Sequence, residues 1–285
     1  MINYILIESK SPYCEKSGLI LYFCKNSNLL PIGHCFIELA SVDSTNNYAM
    51  AQAHAGMASH GTLFFAYDQW AGKGQWGKTW TSQPGDNIVL SAVLDPGPLP
   101  ITQLFPLSTC VALACHDLFS HYAGREETRI KWPNDLYWRD RKAGGILIEN
   151  SFKGDRWAFA IAGMGININQ VAFPETARNP VSLRQITGRS FGAVQLAREL
   201  GQHLDRRYEQ WQAGEAVALL EEYNDHLYKR GQSVRLKKDN AVFTTEVKGV
   251  RVSGELVTQD TLERQFSFGE VEWVIGTDPE RLQQA

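Results

Sequence analysis

The amino-acid sequence predicts an α+β protein: a mainly antiparallel sheet flanked by helices, followed by a small β-rich unit. Before residue 230, strand-length apolar segments and helical patterns do not follow the regular strand–helix–strand order of a parallel sheet. From Gln232 to Ile275, short β-rich runs follow one another closely, which is typical of a small antiparallel barrel. The change in character lies near Arg230-Gly231.

Local sequence patterns predict the individual elements. Strands are predicted where apolar runs stand between turn residues, at residues 4–7, 19–23, 36–39, 62–67, 87–94, 129–131, 145–149 and 157–168. Helices are predicted after the capping sequence Asp43-Ser44-Thr45-Asn46 and over residues 103–122, 192–212 and 215–229. We expect residues 1–40 to form a strand-rich extension packed on a central unit of residues 41–230, with the β-rich unit at residues 231–277.

Composition limits the class of protein. The chain has 285 residues and a net charge of −3, and broad nucleic-acid binding usually requires a strong basic excess. No apolar run reaches the roughly 18 residues of a membrane helix, and the N-terminal sequence is a poor signal peptide. Five cysteines without a CxxC pair predict a reducing cytoplasm rather than a disulfide framework or a zinc site. Cys110 and Cys115 are predicted core residues.

A glycine-rich loop, Gln69–Trp80, joins two predicted strands and contains Lys73 and Lys78. Glycine lets backbone N–H groups turn toward an anion, and lysine adds positive charge, so such a loop can fold over a phosphate or a carboxylate. Its spacing matches neither a P-loop nor a dinucleotide-binding motif. Composition alone leaves an ordinary surface loop as an equal alternative.

Two further segments place charged residues at strand ends. In Lys131-Trp132-Pro133-Asn134-Asp135, the amide and carboxylate after the proline can orient a sugar or hold hydrated Mg²⁺, or can form a simple Asn-Asp turn. In Arg141–Glu149, Lys142 stands just before two glycines that open an apolar strand. A lysine inside a sheet needs an anionic partner, whereas a lysine in a hairpin turn is solvated.

A fourth segment, Gly163-Met164-Gly165-Ile166-Asn167, places glycines inside a predicted strand, which indicates close approach of a ligand, or else a bulge or a packing requirement. In this order, and with Ser44-Thr45-Asn46 at a helix start, the four segments closely resemble the biotin–protein ligase family. The resemblance covers about residue 43 to the β-rich unit and little of residues 1–40. It implies a class II synthetase-like catalytic domain followed by an SH3-like barrel.

The resemblance implies an enzyme that uses ATP to form biotinyl-5′-AMP and transfers biotin to a lysine of a biotin carboxyl carrier protein domain. The implied biotin-binding residues are Ser44, Thr45, Asn46, Gln69, Gly72, Lys73, Lys142 and Gly145. The implied ATP-binding residues are Lys73, Gln75, Lys78, Trp80, Lys131, Asn134 and Asn167. Lys142 would reach both the biotin carboxylate and the α-phosphate, Trp80 would pack on adenine, and Mg²⁺ would neutralise the pyrophosphate.

The implied catalytic residues are Lys131, Asp135 and Lys142. The acceptor lysine must lose a proton as it attacks, because an amine with a pKa of about 10.4 is protonated at neutral pH. Asp135 is the predicted base, and the alternative roles of this carboxylate are Mg²⁺ ligation and turn capping.

Two loop positions depart from the family pattern. Many members have arginine at the position of Gln75, and a basic or other polar residue at that of Trp76. Glutamine does not replace the fork of a guanidinium, so we expect biotinyl-adenylate to be held less tightly than in arginine-bearing relatives. Trp76 either covers the pocket or is an exposed aromatic residue.

Two alternative functions stay open, the first with the same fold and adenylate chemistry and the second in another class of protein. One is a lipoate–protein ligase, whose substrate lacks the ureido head of biotin, and another is a non-catalytic biotin-sensing regulator. Bifunctional members of the family carry an N-terminal DNA-binding domain, and the residues before Ser44 show no such pattern, so we expect no operator binding. The expected partners are biotin, ATP and a carrier domain, without DNA or membrane, and both a monomer and a homodimer remain open.

Overall fold

Residues 30–274 of the chain are described by a computed structural model, and they confirm the predicted α+β class. The larger sheet contains β1 Cys35–Leu39, β2 Thr62–Ala66, β3 Ile88–Leu94, β4 Thr128–Lys131, β5 Asp135–Trp138, β6 Arg141–Lys153 and β7 Arg156–Ile166. The smaller sheet contains β8 Ser233–Lys238, β9 Ala241–Val250, β10 Leu256–Gln259, β11 Glu263–Phe266 and β12 Glu272–Trp273. The α-helices are α1 Thr45–His54, α2 Leu104–Ala123, α3 Leu183–Thr187, α4 Ala193–Gln212 and α5 Ala216–Asp225.

The larger sheet has the strand order β1-β2-β3-β7-β6-β5-β4. β1 and β2 run parallel, and the other described neighbours run antiparallel. The long strands β6 and β7 form its central hairpin, in which Gly145 stands opposite Gly165 and Leu147 opposite Gly163. Because directly opposed residues of antiparallel strands face the same side, the three glycines lie on one face of the sheet.

The two faces of the larger sheet are covered by different elements. One face packs against α2 and α4 and forms the main hydrophobic core, with Leu90 and Met164 fully or almost fully buried. The other face carries the glycines and Ser91, and α1 covers part of it through a smaller apolar cluster around Ala49 and Val93. This second face therefore has room for a site beside α1.

Several local predictions are confirmed. In α4, the apolar residues that recur at helical spacing are buried, from Leu196 to Trp211. Cys110 and Cys115 are buried in the core, as the sequence predicts.

No helix within residues 30–274 combines the length and the apolar character that a membrane crossing requires.

Other predictions are corrected by the pairing of strands. The turn predicted within Lys131–Asp135 is present over residues 132–134, but Asp135 begins the strand β5, which was not predicted, because it pairs with Lys131 across the hairpin. The helix predicted over residues 215–229 ends at Asp225, because the following chain bonds to the backbone of Ile130 at the sheet edge. The α3 helix, which starts with a capping box at Ser182, was not predicted.

The smaller sheet is antiparallel, with the order β11-β10-β9-β8-β12. Its buried residues Leu236, Val247 and Leu256 belong to the same hydrophobic cluster as the main core. The indole N–H of Trp132 also donates to the carbonyl of Gly254 at 2.9 Å. The two sheets therefore share one core, while the division of the chain at residue 230 stays a prediction.

The predicted N-terminal extension is described in part. The strands predicted at residues 4–7 and 19–23 lie outside the described residues. The strand predicted at 36–39 is present as β1, which forms an edge of the larger sheet beside β2.

Arg207 of α4 ties three helices together behind the sheet. Its guanidinium donates to both carboxylate oxygens of Asp117 in α2, at 2.7 and 3.0 Å. It also donates to both oxygens of Glu222 in α5, at 2.6 and 2.7 Å. The Arg207 side chain is 12% exposed, so removing it leaves two carboxylates close together with little access to water.

We predict that Arg207→Ala lowers the free energy of unfolding by about 3 kcal/mol, because Asp117 would lose its cation in a largely buried position. Urea denaturation followed by far-UV circular dichroism measures the loss. The matched control is Arg206→Ala at the exposed neighbouring position, which should change the free energy of unfolding by less than about 0.5 kcal/mol. Equal effects of the two substitutions would contradict the assignment.

Candidate active site

The candidate site lies on the face of the larger sheet that α1 partly covers. Gly145, Gly163 and Gly165 form its floor and are called the glycine floor below. A Cβ at Gly163 would clash with the side-chain oxygen of Asn46, and a Cβ at Gly165 would lie 2.5 Å from the Trp80 ring. These glycines therefore allow two side chains to approach the backbone of β7 closely.

A network of buried polar groups stands at the start of α1. Ser44 is the buried N-cap residue. The backbone N–H of Thr45 donates to Gln69 Oε1 at 2.8 Å, and the Thr45 hydroxyl lies 3.3 Å from the same oxygen. Ser91 Oγ lies 2.8 Å from Thr45 Oγ1 and 2.6 Å from Asn46 Oδ1, and its single proton bonds to one of them. The helix start and the strands thus hold one another's polar groups in place.

Glu149 joins this network to the glycine-rich loop. One of its oxygens accepts a hydrogen bond from Asn46 Nδ2 at 2.9 Å, and the other lies 3.2 Å from Lys73 Nζ. Gly72 is buried in the loop, where a Cβ would clash with the Gln69 amide and with a backbone carbonyl. We call Thr45, Asn46, Gln69, Lys73, Ser91 and Glu149 the polar network.

The glycine-rich loop forms a narrow hairpin in this structure. The Trp80 N–H donates to the carbonyl of Gly72 at 2.9 Å, and the Gly74 N–H donates to that of Lys78 at 2.7 Å. Its tip is a single 3₁₀ turn over Gln75–Gly77. The hairpin brings the Trp80 indole onto Gly165, while the predicted contact of Trp80 with adenine stays a prediction.

On the other side of the glycine floor, Lys142 and Asp135 form an ion pair with 2.6 Å between Nζ and Oδ1. Both atoms lie 3.5 Å from the position of a Cβ on Gly145. Lys131 stands directly opposite Asp135 in the β4–β5 hairpin. The three predicted catalytic residues are thus brought together by the sheet.

Lys131 is 9% exposed, and burial is the main reason why its pKa is lowered to about 8. Asp135 opposes this shift, whereas the positive charges of Lys142, Lys78 and Arg178 add to it. We call these five residues the cation cluster. Lys142 is paired with Asp135, and Lys131 stands opposite that carboxylate. The charges of Lys78 and Arg178 act on Lys131, so the cluster carries an excess of positive charge that suits a polyphosphate.

Asn134 and Asn167, two of the predicted ATP-binding residues, donate side-chain hydrogen bonds to backbone carbonyls in this structure. Asn134 Nδ2 donates to the carbonyl of Ile146 at 2.6 Å. Asn167 Nδ2 donates to the carbonyl of Val181 at 3.1 Å, and the Val181 N–H donates to the carbonyl of Lys142 at 2.9 Å. Both amides therefore fix the backbone around Lys142, and their predicted contact with the nucleotide stays a prediction.

Three residues of the site were not predicted. Ser91 is the one polar residue of the apolar strand β3, a signal that could have identified it. Glu149 ends the apolar run of the lysine–glycine segment, but its partners are more than 70 residues away in sequence. Arg178 lies in the loop before α3, and no sequence pattern marks it.

The chain is similar to proteins of one family. The sequence model of the biotin/lipoate A/B protein ligase family matches residues 38–167, which include the glycine floor and the polar network. The bifunctional ligase/repressor BirA of Bacillus spizizenii is 29% identical over 241 residues, covering 83% of this chain and 73% of the relative. The biotin–[acetyl-CoA-carboxylase] ligase of Paracoccus denitrificans is 35% identical over 157 residues, covering 53% of this chain and 63% of the relative.

Solved structures share the fold. The biotin protein ligase of Aquifex aeolicus, solved in complex with biotin and ATP, has a TM-score of 0.71 at 23% identity. The match covers 84% of this chain and 98% of the Aquifex chain. The chain is therefore similar to the biotin/lipoate A/B protein ligase family in sequence over residues 38–167, and its fold is that of the Aquifex ligase.

Proposed function

We propose that this chain uses ATP to convert biotin to biotinyl-5′-AMP and then transfers the biotinyl group to a lysine of a partner protein. The observation that carries the proposal is the position of the polar network and the cation cluster on two sides of the glycine floor. The first suits a polar head group, and the second suits a polyphosphate. The curated ligases among the relatives and the Aquifex ligase bound to biotin and ATP support the same substrates.

In the first step, a carboxylate oxygen of biotin attacks the α-phosphorus of ATP, the bond from that phosphorus to the bridging oxygen of the β-phosphate breaks, and pyrophosphate leaves. Two anions must meet, so fixed cations lower the barrier. Lys142 is the residue proposed to contact both the carboxylate and the α-phosphate. Lys131 and Lys78 are proposed to hold the other phosphates.

Mg²⁺ would neutralise the leaving pyrophosphate. No group of three or more His, Cys, Asp or Glu side chains within residues 30–274 could hold a metal ion by itself. Mg²⁺ is often held by one or two carboxylates together with substrate phosphates, and Asp135 is the carboxylate of the cation cluster. The residues therefore fit an ion that arrives with ATP, and Asp135 would be its ligand in the alternative role of this carboxylate.

In the second step, the amine of the acceptor lysine attacks the carbonyl carbon of the adenylate, and AMP leaves with the bonding electrons. The amine must lose a proton, for which Asp135 is the proposed base. The proposed acceptor is a biotin carboxyl carrier protein domain of a biotin-dependent carboxylase, and a cytoplasmic location stays a prediction.

The polar network argues for biotin over lipoate. Buried polar groups lose free energy when a bound ligand leaves them unpaired, so a ureido head suits this surface better than a plain alkyl chain. Pyrophosphate release with biotin and with lipoate compares the two acids. Mass measurement of a carrier domain after incubation with biotin and ATP tests transfer, and no gain of one biotinyl group would favour the non-catalytic sensor.

We predict that Lys142→Ala lowers biotin-dependent ATP–pyrophosphate exchange by at least about 100-fold, since the cation between the two anionic reactants is lost. The carrier domain should then gain no biotinyl mass. Lys153→Ala, at the exposed far end of the same strand, is the matched control and should retain full exchange. Full activity of the Lys142 variant would remove the central role proposed for this residue.

We predict that kcat/KM for ATP falls as the pH rises through about 8, the pKa to which burial lowers Lys131. The ammonium is present below that pH and lost above it, so attraction for the triphosphate weakens on the alkaline side. In Lys131→Arg the guanidinium stays charged, so the fall should disappear even if overall activity is lower. A fall of the same size in both proteins would assign it to another group.

We predict that Asp135→Asn slows transfer from preformed biotinyl-adenylate to the carrier lysine more than it slows adenylate formation. The amide cannot take the proton that the acceptor lysine must lose as its amine attacks. Hydroxylamine, which is unprotonated at neutral pH, should react with the adenylate at similar rates in both proteins. A larger loss in adenylate formation than in transfer would favour the alternative role as Mg²⁺ ligand.

A further inference from the structure

Trp76 stands at the tip of the glycine-rich hairpin in an unusual conformation. Its backbone is left-handed, with φ 56° and ψ 39°, which residues other than glycine adopt at a cost. Its side chain is 70% exposed, so burial in the hairpin itself does not offset that cost. The ring contacts of Trp76 lie outside the hairpin.

Those contacts come from the smaller sheet. The Trp76 ring lies 5.7 Å from the Phe268 ring, centroid to centroid, with 30° between the planes. A Cβ on Gly269 would lie 2.8 Å from the Trp76 indole, so the turn after β11 leaves room for this ring. Phe268 in turn meets the edge of Trp132 at 6.0 Å. We call Trp76, Phe268 and Trp132 the aromatic latch.

The part of the latch outside the hairpin is held firmly. Trp132 is 1% exposed and bonds through its indole N–H to Gly254. The turn that carries Phe268 is closed by hydrogen bonds between Ser267 and Glu270, at 2.8 and 3.1 Å. Phe268 therefore offers a fixed surface to which the hairpin tip can attach.

The glycine-rich hairpin is attached to the rest of the protein at its base and at its tip. Between these two points it lies beside both the polar network and the cation cluster. At its base, Lys73 is paired with Glu149 of the polar network. In the arm of the hairpin that follows the tip, the positive charge of Lys78 lowers the pKa of Lys131 in the cation cluster, and the Trp80 ring lies on the glycine floor. Holding the tip against Phe268 therefore holds the hairpin over the glycine floor, between the polar network and the cation cluster.

We propose that Trp76 is a positioning residue that, through Phe268, keeps the hairpin closed over the acyl-adenylate and slows its release. The inference rests on the proposed function. The latch supplies a restraint that is different in kind from the guanidinium that Gln75 does not provide, because it acts on the loop rather than on the ligand.

The test is the dissociation rate of biotinyl-adenylate formed on the enzyme and chased with unlabelled biotin and ATP. Trp76→Ala and Phe268→Ala should each release it about three- to tenfold faster, as expected for one aromatic pair. Trp76→Phe should stay near the wild-type rate, since it keeps a ring. The double variant should be no faster than the faster single variant, because both substitutions break the same contact.

Leu262→Ala is the matched control, since it removes an exposed apolar side chain elsewhere on the smaller sheet. Alone it should leave the release rate at the wild-type value, and combined with Trp76→Ala it should add nothing to the effect of that substitution. Thermal unfolding of each variant separates release from instability, and the exposed Trp76 position decides the question even if the Phe268 variant fails to fold.

A wild-type release rate in either folded single variant would overturn the latch and leave the proposed function standing, provided that adenylate still forms. Additive effects in the Trp76 and Phe268 double variant would also overturn it, because Trp76 would then act independently of Phe268. If the unaltered protein formed no adenylate from biotin and ATP, the proposed function would fail and the inference with it.

Discussion

Lys142 and Asp135 form an ion pair at 2.6 Å, and the rest of the site depends on this contact. Like charges brought together in a partly buried site repel one another strongly. Asp135 offsets this repulsion for Lys142 on one side and for Lys131, its partner across the hairpin, on the other. Gly145 leaves the space that the pair occupies, since a side chain there would stand against both atoms. Asp135 therefore allows Lys131 and Lys142 to stay close together, where the binding of two anionic substrates would need them.

The glycine floor separates two surfaces of different chemistry. On one side, the polar network joins α1, β3 and β6 through groups that bond to one another, so a ligand that enters must match them. On the other side, the cations exceed the carboxylate, so a polyphosphate is attracted. The proposed reaction joins a carboxylate to a phosphorus atom, and the floor is the place where ligands of the two surfaces would meet.

The smaller sheet supports the site rather than standing apart from it. Its Trp273 ring lies 5.3 Å from the ammonium of Lys131, and Phe268 lies between Trp132 and the hairpin tip. Both contacts are possible because the two sheets share one hydrophobic core. A change in the smaller sheet can therefore alter the cation cluster and the loop without touching a ligand.

The sequence by itself determined the fold class, the main strands and helices, and the segments that carry Lys131, Asp135 and Lys142. These features are local: apolar periodicity, turn residues and short motifs each depend on neighbouring residues. The same reasoning missed β5 and α3, because both are short and β5 exists through pairing with the strands beside it.

Tertiary structure alone decided which distant residues meet. Strand register and the packing of two sheets set the partners of Glu149, the effect of the Arg178 charge on the pKa of Lys131, and the contact between Trp76 and Phe268. For Trp76, the sequence left open whether the ring covers the pocket or is simply exposed. The fold places this ring against Phe268 of the smaller sheet instead. A side chain's partner across a fold is set by that register and packing, and no sequence window contains either.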